Sequence, residues 1–239
     1  MDYKINNCKY DKKLNINKTV LDVNKWIYFE LVKTNYNAQK HLKNFRFDEA
    51  AKIIYQFVWH SYCDWYIEFL KPVFASNIKQ NLNETRAFAA YIQSSILVML
   101  HPFVPFFTEK IWLDLKLNTK LKTPLMYKDW NLPAKVSPSF KKSYQKIDWL
   151  IQLITSIRST KAELEVSPGS LIDISIEDLK KDKKNIINNN LNVFKTLGRV
   201  SNIHNSKRGK NGINIIVGVD NFTLYFSGDI NLFDQILIN

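Results

Sequence analysis

The sequence predicts a mainly α-helical protein, in which an antiparallel helical bundle is followed by a small α+β unit. The bundle is predicted by apolar residues that recur with the spacing of one helix face over most of residues 19–165. After Ser167-Pro168-Gly169 the pattern changes to the alternation of strands, and short strand-like segments continue through residues 166–228. Residues 1–18 are polar, basic and aperiodic, so we expect an irregular lead-in there.

The bundle is expected to contain four helices. A break at Asn44-Phe45-Arg46 separates the first two, and Pro72 should end the second. Two prolines within His101–Phe106 should kink the third helix, which we expect to restart with Thr108 in its cap. Prolines and lysines between residues 116 and 139 predict a long surface connection. The four helices are expected to begin near Thr19, Phe47, Glu84 and Lys141.

The second helix carries an apolar stripe and a polar stripe. The apolar stripe should be buried, whereas the polar stripe should face water. Asp48 and Glu49 suit the positive N-terminal end of this helix. The apolar stripe comprises Phe47, Ala50, Ala51, Ile54, Val58, Tyr62, Trp65 and Phe69. The polar stripe comprises Lys52, Gln56, His60, Asp64 and Glu68.

The C-terminal unit is expected to contain four strands and one helix. A hairpin turn at Val219-Asp220-Asn221 should join the last two strands. The strands are expected at residues 171–176, 200–204, 213–217 and 222–226, and the helix at residues 177–197.

The formal net charge is +12, which is compatible with binding to nucleic-acid phosphates. The positive charge comes mostly from lysine, however, and lysine, asparagine and isoleucine are all specified by A/T-rich codons. Biased base composition would therefore produce much of the same charge. The net charge by itself therefore supports a nucleic-acid-binding surface and a drift in base composition equally well.

Composition excludes several classes of protein. No apolar run is long enough to span a membrane, and Met1–Asn7 lacks the apolar core of a signal peptide. Cys8 and Cys63 form neither a disulfide framework nor a metal-binding spacing, as expected in a reducing cytoplasm. Cys63 is interpreted as a small buried thiol.

Catalytic patterns are not found in the sequence. It contains no P-loop, no dinucleotide-binding glycine motif and no metal-ligand cluster. His60 is interpreted as a solvated side chain, and His101 as a capping or packing residue. Asp64 and Glu68 are interpreted as members of a solvated helix face. Most of the tryptophans lie on apolar stripes, which favours core packing over base stacking.

Cations at the ends of elements are the better candidates for contact with RNA. They are chosen by position and charge, because phosphate contacts provide most of the affinity in nucleic-acid binding. The Lys207–Lys210 segment is interpreted with equal weight as a basic hairpin tip that contacts phosphate or as a solvated loop. The candidates are Arg46, Lys71, Arg158, Lys161, Lys207 and Arg208.

A series of motifs follows in order between Asn24 and Gly228. They are Asn24-Lys25-Trp26-Ile27, Phe45–Ala51, Phe57–Glu68 with Lys71-Pro72, Thr85-Arg86, Leu100–Trp112, and Ile157–Gly169. Together they resemble the valyl-tRNA synthetase family, in the region that follows its catalytic domain. The His-Pro-Phe motif is shared with the synthetases for isoleucine and leucine, whereas Cys63-Asp64-Trp65-Tyr66 with Lys71-Pro72 points to valine.

The resemblance implies a fragment with an anticodon-binding bundle of the class I synthetase type. The implied partners are tRNA(Val) and the missing catalytic domain of the same enzyme. Neither H-I-G-H nor K-M-S-K-S is present, so ATP and Mg would bind that absent domain and no cofactor is expected here. Residues 229–239 would begin a truncated C-terminal helical arm. We expect a monomeric, cytoplasmic chain that is inactive in aminoacylation by itself.

A second function stays open beside tRNA binding. The chain would then be a structural domain that packs on the synthetase core and binds little RNA independently. An exposed apolar patch would favour this alternative.

Overall fold

The computed structural model describes residues 15–75, 78–115, 123–130, 136–177, 179–206 and 212–226. They form two compact units, within Met1–Gln145 and Lys146–Asn239. The first unit is helical, and the second combines helices with a four-stranded sheet. The predicted fold class, a helical bundle followed by a small α+β subdomain, is therefore confirmed. Among the described residues, no helix combines the length and apolar character needed to cross a bilayer.

The bundle is built from the helices of the first unit, the last of which continues into the second unit. Their bounds are α1 Asp22–Lys43, α2 Phe47–Gln56, a π-helical segment Phe57–Tyr66, α3 Ile67–Ala75, α4 Lys79–Leu100, α5 Pro105–Asp114 and α6 Pro138–Glu163. Helix α2, the π-helical segment and α3 are continuous, and they run back along α1 after the turn at Asn44–Arg46.

One carboxylate ties the start of α4 to the start of α1. Glu84 accepts hydrogen bonds from the backbone N–H groups of Val20 and Leu21, at 2.9 and 3.1 Å. These N–H groups lie just before α1, where backbone donors have no partner within the helix. Glu84 lies in the second turn of α4, so the N-terminal part of α4 packs beside the start of α1.

A buried polar network joins three segments of the bundle. The side-chain oxygen of Asn24 accepts a hydrogen bond from the Tyr66 hydroxyl at 3.0 Å. Its nitrogen donates to Glu84 at 3.0 Å and to the hydroxyl of Thr85 at 3.4 Å. Asn24, Tyr66 and Thr85 are all fully buried. Such a network defines one register among the helices, because an unpaired buried polar group is costly.

The π-helical segment changes which residues face the core. A turn of π-helix contains more residues than the 3.6 of an α-helix, so the apolar stripe shifts along the chain. Phe57 and Tyr66 are buried, whereas Val58, Tyr62 and Trp65 of the predicted stripe are only half-buried. Phe47, predicted to be buried, is exposed. The prediction of one regular α-helical stripe was therefore wrong at Phe47 and within the π-helical segment, whereas Ile54 and Phe69 are buried as predicted.

The predicted helix boundaries are corrected at two prolines. Helix α3 continues through Pro72 to Ala75, although Pro72 was expected to end it. Helix α5 begins at Pro105, where the missing N–H of proline removes no helical hydrogen bond. Thr108 lies inside α5, and its hydroxyl is 2.8 Å from Nδ1 of His101 across the turn. This contact agrees with a packing role for His101.

Part of the predicted surface connection packs against the bundle. Leu125 is buried in a cluster with Leu97 and Trp112. Glu109 accepts the N–H of Leu125, and the Trp112 indole donates to the Thr123 carbonyl. These described residues are therefore part of the core rather than a solvated loop.

The second unit is built on a mixed sheet of β1 Ile172–Ser175, β2 Val200–His204, β3 Ile213–Val217 and β4 Asp220–Phe226, in the order β2-β1-β4-β3. Strands β1 and β2 are parallel, whereas the other neighbours are antiparallel. The predicted single helix is two helices, because Asn190 leaves the helical conformation and its side chain bonds the Ile186 carbonyl. The hairpin turn is Gly218-Val219, one residue earlier than predicted. The two helices are α7 Lys181–Asn189 and α8 Leu191–Gly198.

The larger, C-terminal part of α6, from Lys146 to Glu163, belongs to the second unit. Trp149 packs against Phe222 and donates its indole N–H to Asp220 at 2.9 Å. The ammonium of Lys183 lies 4.2 Å from the centre of the Trp149 ring, in a cation–π arrangement. The change of pattern near Val166 marks the start of the sheet region, whereas the compact units divide inside α6 at Gln145.

We predict that Asn24→Leu lowers the free energy of unfolding by about 2–4 kcal/mol, because it removes the hydrogen bonds that a fully buried amide makes to Tyr66, Glu84 and Thr85. Tyr66→Phe removes one hydroxyl and should cost about 1 kcal/mol. Urea unfolding followed by circular dichroism measures both changes. The control is Gln56→Ala, on an exposed position of α2. Equal stability of Asn24→Leu and the parent protein would contradict the role of the network.

Candidate nucleic-acid interface

Arg46 lies at the turn between α1 and α2, as predicted, and its side chain is exposed. Its guanidinium is 3.1 Å from a carboxylate oxygen of Glu49. An exposed ion pair of this kind contributes little stability, so its cation remains available to a phosphate.

Lys71 lies inside α3 rather than at a helix end, because the helix continues past Pro72. The ammonium donates to Glu68 at 2.6 Å, and both side chains are partly exposed. Binding to a phosphate would require Lys71 to exchange one anionic partner for another.

Arg158 and Lys161 both lie on α6 but differ in exposure. Arg158 is exposed, and its Nε donates to the carbonyl of Leu197 at 3.1 Å. Lys161 is only 3% exposed, and its ammonium donates to the carbonyl of Ser170. Burial, together with the positive charges of Arg199 and Arg158, lowers the pKa of Lys161. Lys161 is therefore held in a structural contact, whereas Arg158 faces solvent.

Arg199 is a cation that sequence reasoning missed. It follows α8, adopts a left-handed conformation with φ of 54°, and is exposed. Its charge acts on Lys161 together with that of Arg158, so the three cations form a cationic cluster of Arg158, Lys161 and Arg199. Arg158 and Arg199 are 41 residues apart in the sequence, so no local pattern relates them. Lys207 and Arg208, the other two candidates, lie outside the described residues.

The tryptophans divide between core and surface. Trp112 and Trp149 are buried, as expected of core residues, and Trp65 and Trp130 are half-buried. Trp59 is 53% exposed, and Tyr55 is 60% exposed. Their rings are nearly parallel, with 7° between planes and 6.3 Å between centroids. Trp59, which lies off the predicted apolar stripe, is therefore an exception to the core packing expected for most tryptophans.

Cys63 and His60, which were interpreted as structural, take part in no catalytic arrangement within the described parts of the chain. Burial and the nearby Asp64 raise the pKa of the Cys63 thiol, which keeps it in its unreactive protonated form. His60 is exposed, with Nδ1 3.3 Å from Asp64. Within the same ranges, no three His, Cys, Asp or Glu side chains are grouped as metal ligands.

Asp173 is a buried carboxylate in β1 that anchors β2. It accepts hydrogen bonds from the backbone N–H and the side chain of Asn202, at 3.1 and 2.9 Å. Nε2 of His204 lies 3.1 Å from its other oxygen. Burial opposes ionisation of Asp173, but these hydrogen bonds outweigh it and hold the carboxyl pKa below its ordinary value.

Comparison with known proteins identifies the bundle. A family described as the anticodon-binding domain of tRNA ligase matches residues 24–177. The chain belongs to this family. The match extends from α1 through α6 into β1, and it therefore contains Arg46, Lys71, Arg158 and Lys161.

Relatives of this anticodon-binding chain are valine–tRNA ligases. The sequence is 41% identical to the valine–tRNA ligase of Pelagibacter ubique over 229 residues, which is 95% of the chain. It is 35% identical to that of Rhizobium meliloti over 83% of the chain, and 32% identical to that of Zymomonas mobilis over 95%. The chain spans only 21–26% of the length of these three relatives. The predicted likeness to one region of valyl-tRNA synthetases is therefore confirmed.

We predict that Asp173→Asn destabilises the chain by about 2 kcal/mol at neutral pH, because it removes the negative charge from a set of buried hydrogen bonds. Since the folded-state pKa is lowered, the stabilisation is complete above about pH 5 and is lost as the pH falls below about 4. Urea unfolding at several pH values measures the difference between variant and parent. Asp182→Asn, at an exposed position of α7, is the control. A difference that persists unchanged at pH 3 would contradict this account.

Proposed function

We propose that this chain binds the anticodon stem of tRNA(Val) as part of a valine–tRNA ligase, while another part of the polypeptide performs catalysis. The observation that carries the proposal is the match of residues 24–177 to the anticodon-binding family. The valine–tRNA ligase relatives, which align over most of the chain, support valine as the amino acid.

Exposed guanidinium groups are the proposed contacts with phosphate. Arg158 and Arg199 belong to one cationic cluster in the second unit, and Arg46 is exposed in the first. A guanidinium donates two parallel hydrogen bonds to a phosphate, and each neutralised phosphate releases condensed counterions. Lys71, Lys207 and Arg208 remain candidate contacts, whereas the buried Lys161 is proposed to hold the Ser170 loop rather than RNA.

ATP and Mg are proposed to bind outside this chain. The described residues offer hydrogen-bonded carboxylates and exposed cations but no grouped acidic ligands for a metal ion. The chain would then supply tRNA recognition to a cytoplasmic, monomeric ligase. ATP–pyrophosphate exchange with valine should accordingly be undetectable with this chain alone.

The alternative is a structural domain that packs on the rest of the synthetase and binds little RNA independently. Exposed Phe45, Phe47, Phe106 and Phe107 favour a role of this kind. The two functions are compatible, because apolar and cationic surfaces can serve different partners of one domain.

We predict that Arg158→Ala weakens binding to tRNA(Val) in a filter-binding titration and reduces the slope of log K against log salt by about 1. The reason is the loss of one phosphate contact from an exposed cation. Lys161→Met is the matched control, because it removes a cation three residues away on the same helix but at a buried position. Its tRNA affinity should equal that of the parent chain.

Two results of this titration would contradict the proposal. Affinity that does not change between about 50 and 200 mM salt would exclude a phosphate-based interface. Equal loss of affinity in Arg158→Ala and Lys161→Met, with both variants folded by circular dichroism, would show that the cluster acts through structure rather than contact.

A further inference from the structure

We propose that Arg158 and Arg199 bind one and the same phosphate group, so that their two guanidiniums form a single anion site in the second unit. We call this pair the arginine clamp. The inference rests on the proposed function, since the phosphate is taken to belong to the RNA backbone. It deepens that function, because the two arginines then act together on one phosphate rather than separately on two.

The end of α8 is held against α6 beside Arg158. Nε of Arg158 donates to the carbonyl of Leu197 at 3.1 Å, in the last turn of α8. Gly198 comes next, and a β-carbon at this position would lie 3.7 Å from Cδ1 of Ile157. Contacts from two neighbouring residues of α6 therefore fix the end of α8. Arg199, the residue that follows, starts beside Arg158.

The backbone of Arg199 is also fixed, and it is strained. Its N–H donates to the carbonyl of Lys195, and its carbonyl accepts the N–H of Ile172 at 3.0 Å. Its φ of 54° lies in the left-handed region, which glycine adopts without steric cost and commonly occupies after a helix. Strain of this kind is concentrated at ligand clamps. An exposed arginine at such a position favours a role for its side chain.

The two guanidiniums lie in a local excess of positive charge. Lys161, which is buried beside them, adds a third cation, and both arginines lower the pKa of its ammonium. Glu163 and Glu165 are exposed, and within the described ranges neither forms an ion pair with Lys161 or Arg199. An anion bound between Arg158 and Arg199 would offset the repulsion among the three cations.

A phosphate group matches two guanidiniums in shape and in charge. A guanidinium presents its donors in a planar fork, and a phosphate diester has two unbridged oxygens that accept hydrogen bonds from different directions. The bond from Nε of Arg158 to Leu197 orients the plane of one fork before a ligand arrives. Inorganic phosphate offers the same oxygens, so it serves as a probe of the clamp that is independent of RNA.

A double-variant cycle in tRNA binding tests the clamp. The parent chain, Arg158→Ala, Arg199→Gly and the double variant are titrated with tRNA(Val) by filter binding at several salt concentrations. Glycine suits the left-handed backbone, so the urea midpoint of Arg199→Gly should equal or exceed that of the parent. Each single variant should reduce the slope of log K against log salt by about 1. The double variant should also reduce it by about 1, with an affinity within about twofold of the weaker single variant.

Arg46 provides the matched control, because its guanidinium is exposed in the first unit. Combining Arg46→Ala with Arg158→Ala should multiply the two affinity losses and reduce the salt slope by about 2. The same multiplied losses and a slope reduction of about 2 in the Arg158→Ala, Arg199→Gly double variant would overturn the proposal. Parent-like tRNA affinity in Arg199→Gly would overturn it as well.

Titration with inorganic phosphate examines the site without RNA. Ionic strength is held constant with sodium chloride, and the Nε–H resonances of the isotope-labelled chain are followed by NMR. Arg158 and Arg199 should shift with one common midpoint, whereas the single guanidinium of Arg46 should show no saturation over the same range. Arg199→Gly should abolish the saturable shift of Arg158, whose bond to Leu197 does not involve the Arg199 side chain.

The phosphate titration overturns the proposal if the two arginines have different midpoints, or if Arg158 responds unchanged in Arg199→Gly. The two experiments also separate the clamp from the proposed function. A parent chain with no salt-dependent tRNA affinity but one common phosphate midpoint would lose the tRNA function and keep the clamp as a site for free phosphate. Salt-dependent tRNA binding with independent losses would keep the function and remove the clamp.

Discussion

The structure of the bundle depends on the hydrogen bonds made by the buried side chain of Asn24. This one amide bonds Tyr66 from the end of the π-helical segment, and Glu84 and Thr85 from α4. Apolar packing alone would permit several helix registers of similar stability, because hydrophobic contacts have little directionality. The network permits one register, and Glu84 extends it to the N–H groups before α1. Residues from three of the motifs that resemble valyl-tRNA synthetases, at Asn24, Tyr66 and Thr85, therefore meet in a structural centre.

The register of the helices also determines which side chains are exposed on the surface of the bundle. Phe45 is exposed in the turn after α1, and Phe106 is exposed in the first turn of α5. In the π-helical segment, Trp59 is exposed and its ring stacks on that of Tyr55. In the second unit, α6 and the sheet hold Arg158 near Arg199. The turn after α1 thus exposes an apolar and a cationic group together, at Phe45 and Arg46, whereas the second unit exposes Arg158 and Arg199.

The fold could be predicted from sequence where local patterns decide it. Strand alternation predicted β2 and β3 with their observed bounds, because each short apolar segment has few alternative conformations. The π-helical register could not be predicted, since it depends on the packing of Phe57 and Tyr66 rather than on spacing. The site was predicted less well than the fold. Charge and position selected Arg158 and Lys161 equally, whereas burial separates them, and burial is a property of the folded chain.

We propose that this chain recognises the anticodon stem of tRNA(Val) through exposed cations. Hydroxyl-radical footprinting of tRNA(Val) with the isolated chain tests this proposal, because protection reports which part of the RNA backbone the protein covers. We expect protection that is confined to the anticodon arm, is weaker at high salt and is reduced in Arg158→Ala. Protection of the acceptor end alone, or a cleavage pattern identical to that of free tRNA at saturating protein, would contradict it.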